Sequence, residues 1–206
     1  MIIIPMGVDC TIAGFIKQDN LRYFSLPFDW CVTYNGVSNI IINNFQDFLP
    51  KDNNLNCKSS HTFFMHNRFP SDMDKMNRRI KRFLELLDSD NELLFIRKSH
   101  SPRHHNESQT KGFDLKDDIS DMEQLYIYLK NNYPNLKFKI ILFLVCGNSY
   151  TNECKSAITD IKIYHCIDKQ DNDIGELQHN KFAQFYNSVK HEFYTTDSSC
   201  KTDLDD

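Results

Sequence analysis

Ile2-Ile3-Ile4-Pro5-Met6-Gly7-Val8-Asp9-Cys10 is the stretch on which the reading of this chain turns. Met1 to Pro5 is apolar without alternation, the pattern of a strand buried on both faces of a parallel sheet. Thr11 to Lys17 then reads as a short helix that breaks at Asp19-Asn20. Cys10 therefore stands where strand gives way to helix. Unpaired amides in a helix's first turn favour thiolate over thiol, and the thiolate is the nucleophile of cysteine-dependent acyl chemistry. A free cysteine also packs as a small apolar residue, so position alone leaves both roles open.

Working outward, the rest of the chain alternates strand and helix signals. Leu21 to Trp30 is extended or looped, pinned by Pro27. Ile40, Ile41, Asn44, Phe45 and Phe48 fall at helical spacings and predict a helix over Val37 to Leu49, with Ser38 as its cap. Pro50 to Ser60 is a polar loop. His61 to His66 is a candidate strand that turns Thr62, Phe64 and His66 to one face and His61, Phe63 and Met65 to the other. Ser71 is expected to cap a helix to about Leu87. Its apolar stripe is Met73, Met76, Ile80, Phe83, Leu84 and Leu87, with Arg78, Arg79, Lys81 and Arg82 largely off it.

Glu92 to Arg97 predicts a strand, Lys98 to Lys116 a mobile polar loop, and Asp121 to Asn131 a helix. Lys137 to Val145 is the clearest buried strand, Ile158 to Ile167 an alternating one, and Glu176 to Phe193 an amphipathic helix. This order predicts the α/β class: a single-domain sandwich over residues 1–194, with a mostly parallel central sheet flanked by helices. Residues 195–206 are expected to form a disordered acidic tail.

Composition bounds the function. With 40% hydrophobic and 13% aromatic residues in 206, the chain has the material for a folded core. A net charge of −4 offers no chain-wide basicity for nucleic acid. No apolar run approaches the roughly 20 residues that span a bilayer, the longest being Ile140 to Cys146, and no secretory leader is evident. The cysteines, at 10, 31, 57, 146, 154, 166 and 200, are odd in number and irregularly spaced, without a C-x-x-C pair. That argues against a disulfide framework and a cysteine zinc site, and for a reducing, cytoplasmic setting. No cofactor is expected.

Ligands of a parallel sheet bind at the carboxyl ends of its strands. The candidates there are Cys10, His66, the His100–His105 loop, Cys146-Gly147-Asn148 and the segment Asp168 to Asp173. A cysteine nucleophile needs a base, and the base an orienting acceptor. His66 is the candidate base, with His61, on the opposite strand face, in reserve. Asp29, Asn67, Asp168 and Asp173 are the candidate orienters.

Ser25-Leu26-Pro27-Phe28-Asp29-Trp30 sets one carboxylate among aromatics, so Asp29 must orient a histidine, cap a backbone turn or pair with an arginine. His100, His104 and His105 approach metal-ligand spacing, but Ser101-Pro102 opposes the helix that spacing needs. Arg78-Arg79-Ile80-Lys81-Arg82 suits phosphate or, more simply, a solvated helix face. Asp171-Asn172-Asp173 followed by His179 is a loose likeness of the Asp/His block of serine esterases.

Gly7-Val8-Asp9-Cys10, Ala13, Leu21-Arg22 and Ser25-Leu26-Pro27-Phe28-Asp29-Trp30 together resemble the opening of a family of papain-like cysteine peptidases classed as a domain of unknown function (DUF1796), with bacterial and giant-virus members. Further marks are Phe64-Met65-His66, Arg78 to Phe83 and Leu93 to Arg97, so the resemblance runs from about Met6 to Arg97 and more loosely through Phe138 to Val145. It implies Cys10 as nucleophile and His66 as base. Asp29, as part of the shared block, is the expected third member. Asn67-Arg68 follows His66 where the resemblance leads one to expect an acidic residue.

The implied activity is thiol hydrolysis or acyl transfer on a peptide or isopeptide, with the first-turn amides of the Thr11 helix as oxyanion hole. An esterase or transferase acting on glycans with the same site is the alternative enzyme. An interaction or virion component with a degenerate site is the non-enzymatic one. If the chain is viral, host cytoplasm or virion is its expected place.

Overall fold

The computed structural model describes residues 1–33, 37–51, 55–57, 62–100, 115–147, 155–168 and 176–194. The central sheet contains β1 (Ile2–Pro5), β5 (Glu92–His100), β6 (Lys137–Gly147) and β7 (Ile161–Asp168) in the order β1-β5-β6-β7, every pair parallel. β1 is covered on both faces because its side chains alternate between two cores. Ile2 and Ile4 face one side with Leu93, Phe95, Ile140 and Leu142. Ile3 faces the other with Leu94, Ile96, Ile141 and Phe143. An unbroken apolar run is what a strand needs when helices lie above and below it.

The helices α1 (Thr11–Gln18) and α5 (Glu176–Val189) cover the second side through Ile12, Phe15, Ile16, Phe182 and Tyr186. The first side carries α2 (Val37–Ile42), α3 (Met73–Leu87) and α4 (Leu115–Asn132). The α/β sandwich and its parallel sheet are therefore as the residue pattern predicts. A second, small antiparallel sheet, β2 (Val32–Thr33), β4 (Thr62–Phe63) and β3 (Asn56–Cys57), lies in the long crossover from β1 to β5. Two contacts of Thr33 tie it to the main sheet. Its amide donates to Gly7 O at 3.3 Å, and its carbonyl accepts from Arg97 Nη2 at 3.2 Å.

Several boundaries differ from the periodicity. α2 ends at Ile42 instead of Leu49. Phe45 N donates to Ile40 O and Asn44 N to Ile41 O, a Schellman stop with Asn44 left-handed at φ 50°. Phe45 and Phe48 keep their apolar role through an aromatic cluster with Phe28, Phe64 and Phe83, so burial without helix produced the helical spacing. Asn20 closes α1 by the same device, with φ 56° and Leu21 N donating to Ile16 O.

Ser38 lies inside α2, and Asp121 of α4 accepts from its amide and hydroxyl. Asp72, not Ser71, precedes α3. The expected strand to His66 is only Thr62–Phe63, and His66 sits in the following turn. β5 continues to His100, so Lys98 and Ser99 are buried strand residues rather than loop. α4 begins at Leu115, six residues before the expected start. The expected tail, 195–206, lies outside the described residues, as do His61, His104, His105, Asp171, Asn172 and Asp173.

Candidate functional site

The chain leaves β1 through Gly7-Val8-Asp9-Cys10. A Cβ on Gly7 would fall 2.0 Å from Asp9 O, so only glycine allows this close return of the backbone. Asp9 then organises the helix start. Its Oδ1 accepts the Thr11 amide at 2.8 Å, and its Oδ2 accepts from Lys98 Nζ at 2.8 Å. Lys98, 4% exposed, also donates to Thr11 Oγ1 at 3.3 Å and lies 4.8 Å from the Phe182 ring centre. Cys10, half-buried, holds the position just ahead of α1 and makes no side-chain cap.

The electrostatics of Cys10 differ from the helix-terminus expectation. Its thiol pKa is raised, chiefly by burial and then by the Asp9 carboxylate, against the lowering influence of its backbone hydrogen bond and Lys98. The positive end of α1 is already neutralised by Asp9. The Thr11 amide is taken, and Ile12 and Ala13 are fully buried, so the expected oxyanion donors have no open approach.

Arg97 fixes this loop from below. Its fully buried guanidinium donates to Asp118 Oδ1 at 2.6 Å, Met6 O at 2.9 Å and Thr33 O, joining β5, α4, the β1 exit and β2. A run of apolar residues ending in Arg97-Lys98 is the available sequence signal. Charges follow a buried strand where a parallel sheet opens toward ligands.

The second cluster is built on Asp29. Its carboxylate pairs with Arg22 at 2.9 Å and accepts the Leu26 amide at 3.1 Å, while its other oxygen, buried, has no hydrogen-bond partner. Of the three roles open to it, Asp29 thus performs two, arginine pairing and turn capping. Burial pushes its pKa from 3.8 to about 6, opposed by Arg22, the Leu26 amide and Arg79. Arg22 also bonds Ser25 Oγ at 2.5 Å and lies over the Trp30 ring. Arg82 donates to Ser25 O at 2.8 Å. Neighbouring Cys31 is inert, its thiol pushed up to about 12 by burial.

His66 belongs to this second cluster. Its ring meets Trp30 edge-on, centroids 5.9 Å apart. Together with Asn67, Lys75 and Arg79 the two rings line a cleft of about 260 Å3. Arg79 departs from the sequence reading, being 5% exposed on the buried side of α3 rather than on a solvated face. Met76, Arg79 and Phe83 share one buried stripe of α3.

Among the described residues no hydrogen bond joins Cys10 to His66, or Asp29 to His66. The chain brings His66, Trp30, Asn67 and Arg79 together, and Asp29 with Arg22. It sets Cys10 with Asp9 and Lys98. His100 and Asp168 end β5 and β7, with side chains outside the described set. No group of three or more His, Cys, Asp or Glu gathers as a metal site among the described residues. No helix among them is long and apolar enough to cross a membrane.

Residues 1–69 match the model of a family described as "Putative papain-like cysteine peptidase (DUF1796)". The matched third of the chain contains Cys10, Asp29 and His66 and stops before the Arg78–Phe83 and Leu93–Arg97 marks. No curated protein and no solved structure matches the chain.

Proposed function

We propose that this chain, whose first 69 residues carry the papain-like cysteine peptidase match, is a cysteine-dependent hydrolase of acyl bonds with Cys10 as its nucleophile. The observation that carries the reading is the position of Cys10. It is half-buried, at the carboxyl edge of a parallel sheet, just ahead of α1 and next to the Asp9–Lys98 pair. The matched family name supports a peptide or isopeptide as the substrate class.

In this reading Cys10 attacks the acyl carbon, and its proton passes to a base that later protonates the leaving amine. His66 is the proposed base and Asp29 the proposed acidic partner. Catalytic hydrogen bonds often close only around substrate, and this assignment requires the His66 turn to approach the sulfur. An esterase or transferase acting on glycans is the second reading, favoured by the all-parallel sheet with the thiol at its carboxyl edge.

The test is turnover of peptide and glycan-ester libraries, with product analysis by mass spectrometry. Cys10→Ser abolishes turnover if the reading holds. His66→Asn lowers kcat by about 10²-fold or more if His66 is the base. Equal activity in Cys10→Ser and parent, or none in the parent with any acyl substrate, defeats the hydrolase. Unchanged kcat in His66→Asn removes His66 from the mechanism.

A further inference from the structure

We infer that Lys98 is the positioning residue of Cys10, fixing it by holding the side chains of both its chain neighbours, Asp9 and Thr11. This role rests on Cys10 being the nucleophile of the proposed reaction. Lys98 Nζ donates to Asp9 Oδ2 at 2.8 Å and to Thr11 Oγ1 at 3.3 Å, while Asp9 Oδ1 accepts the Thr11 amide at 2.8 Å. One ammonium thus closes a ring of contacts around the Cys10 backbone and leaves the thiol chiefly its own χ1 rotation.

The clamp is anchored in the central sheet. Lys98 belongs to β5, where it pairs with Phe143 of β6, and its side chain is 4% exposed. Leu94 and Ile96 precede it on the same face of β5 and pack into the core under α1 and α5, so the strand's alternation would place a third apolar residue at 98. A buried ammonium is costly unless paired and hydrogen-bonded, and an apolar side chain there would avoid that cost. What the charge gains is an attachment for Asp9 and Thr11, and the Phe182 ring of α5, 4.8 Å from Nζ, offers it a π face. Asp9 and Lys98 are the charged groups that act on the Cys10 thiol among the described residues, Asp9 raising its pKa and Lys98 lowering it. An ammonium that ties the carboxylate to Thr11 therefore also keeps it off the sulfur.

Labelling of Cys10 tests this role without any substrate. Parent, Lys98→Met, Asp9→Ala and the double variant are alkylated with iodoacetamide from about pH 6 to about pH 10, across the thiol range. The tryptic peptide 1–17 contains no cysteine but Cys10, so mass spectrometry of it reads this residue alone. Methionine keeps an unbranched stem beside Phe182 and removes the ammonium.

In the parent background Lys98→Met slows labelling at pH 7 about tenfold and moves the midpoint of the pH profile upward, because the released carboxylate reaches the sulfur. In the Asp9→Ala background the same change alters the rate less than about threefold, since the carboxylate through which Lys98 acts is gone. Equal fold-changes in the two backgrounds overturn the role, as Lys98 would then act on the sulfur only as a charge through space. Unslowed labelling, or slowing with an unmoved midpoint, overturns it too, being the signature of a merely structural lysine. Should Lys98→Met fail to fold, Lys98→Gln enters the same cycle and is judged by the same inequality. Turnover is scored apart from labelling. Unequal fold-changes in a chain without acyl turnover defeat the hydrolase reading alone, and turnover with equal fold-changes defeats only the role of Lys98.

Discussion

Two buried arginines anchor the two halves of the candidate site, and they differ in how much of the chain they join. Arg97 makes bonds to Asp118, Met6 O and Thr33 O, tying four segments through one fully enclosed guanidinium. Arg22 joins segments only a few residues apart, holding Ser25 and Asp29 within one loop. Both nodes keep a buried acid with one unpartnered oxygen and a raised pKa, but the Arg97 node crosslinks the fold, whereas the Asp29 node adjoins the cleft lined by Trp30, His66 and Arg79. Under-satisfied buried groups are destabilising and more often found where function needs them.

The widest contrast comes from removing each anchor. Arg97→Leu strands Asp118 and two carbonyls in the interior and lowers stability by about 3–5 kcal/mol, measured by urea unfolding. A loss under about 1 kcal/mol would show that water or Lys98 replaces the guanidinium, and the scaffold role would fail.

Comparison with Asp29→Asn isolates the pH dependence that Asp29 contributes. Its folded pKa, about 6, exceeds the unfolded 3.8, so the folded state holds this proton more tightly. The stabilisation from that proton is full below about pH 4 and is lost as pH rises through about 6. Asp29→Asn removes the titration. Its stability relative to the parent should therefore improve by about 2–3 kcal/mol between pH 4 and pH 7, whatever constant offset the lost ion pair adds. A difference that stays flat across that window would mean that Arg22 keeps Asp29 ionised throughout.

A smaller effect is expected at the β1 exit. Gly7→Ala forces Asp9 O away from the new Cβ and should cost about 1–3 kcal/mol, with the Thr11 cap disturbed. Full stability in this variant would show that the loop has slack.

The mildest prediction concerns the thiol. At pH 7 Cys10 should alkylate with iodoacetamide more slowly than a free cysteine, Lys98→Met more slowly still, and Asp9→Asn a few-fold faster, since burial and Asp9 raise the pKa and Lys98 lowers it. Labelling faster than a free thiol in the parent would bring an imidazole or other cation to the sulfur, and the two halves of the site would then be one.

Local signals carried the sheet. Ile2 to Ile4 and Ile140 to Val145 are apolar without a break, a pattern that only two-sided burial demands, and both are strands covered by helices on each face. The position of Cys10 between strand and helix was also legible, because Gly7 and Asp9 impose it locally. The extent of α2 was not. Phe45 and Phe48 have helical spacing but are buried by rings from Phe28, Phe64 and Phe83, which are distant in sequence. Arg79 departs from its local pattern for a similar reason. Its charge suggested solvent, while its neighbours Asp29 and Trp30 come from another loop.

The residue order by itself determined the α/β layering, the junction at Cys10 and the presence of a carboxylate among aromatics, since each follows from short-range periodicity or backbone geometry. Only the tertiary structure decided which charge answers which. Asp9 and Lys98 attend the sulfur, Arg22 holds Asp29, and His66 turns to Trp30 and the Arg79 cleft. Ionic and ring contacts join residues across long loops, and no local pattern encodes how those loops close.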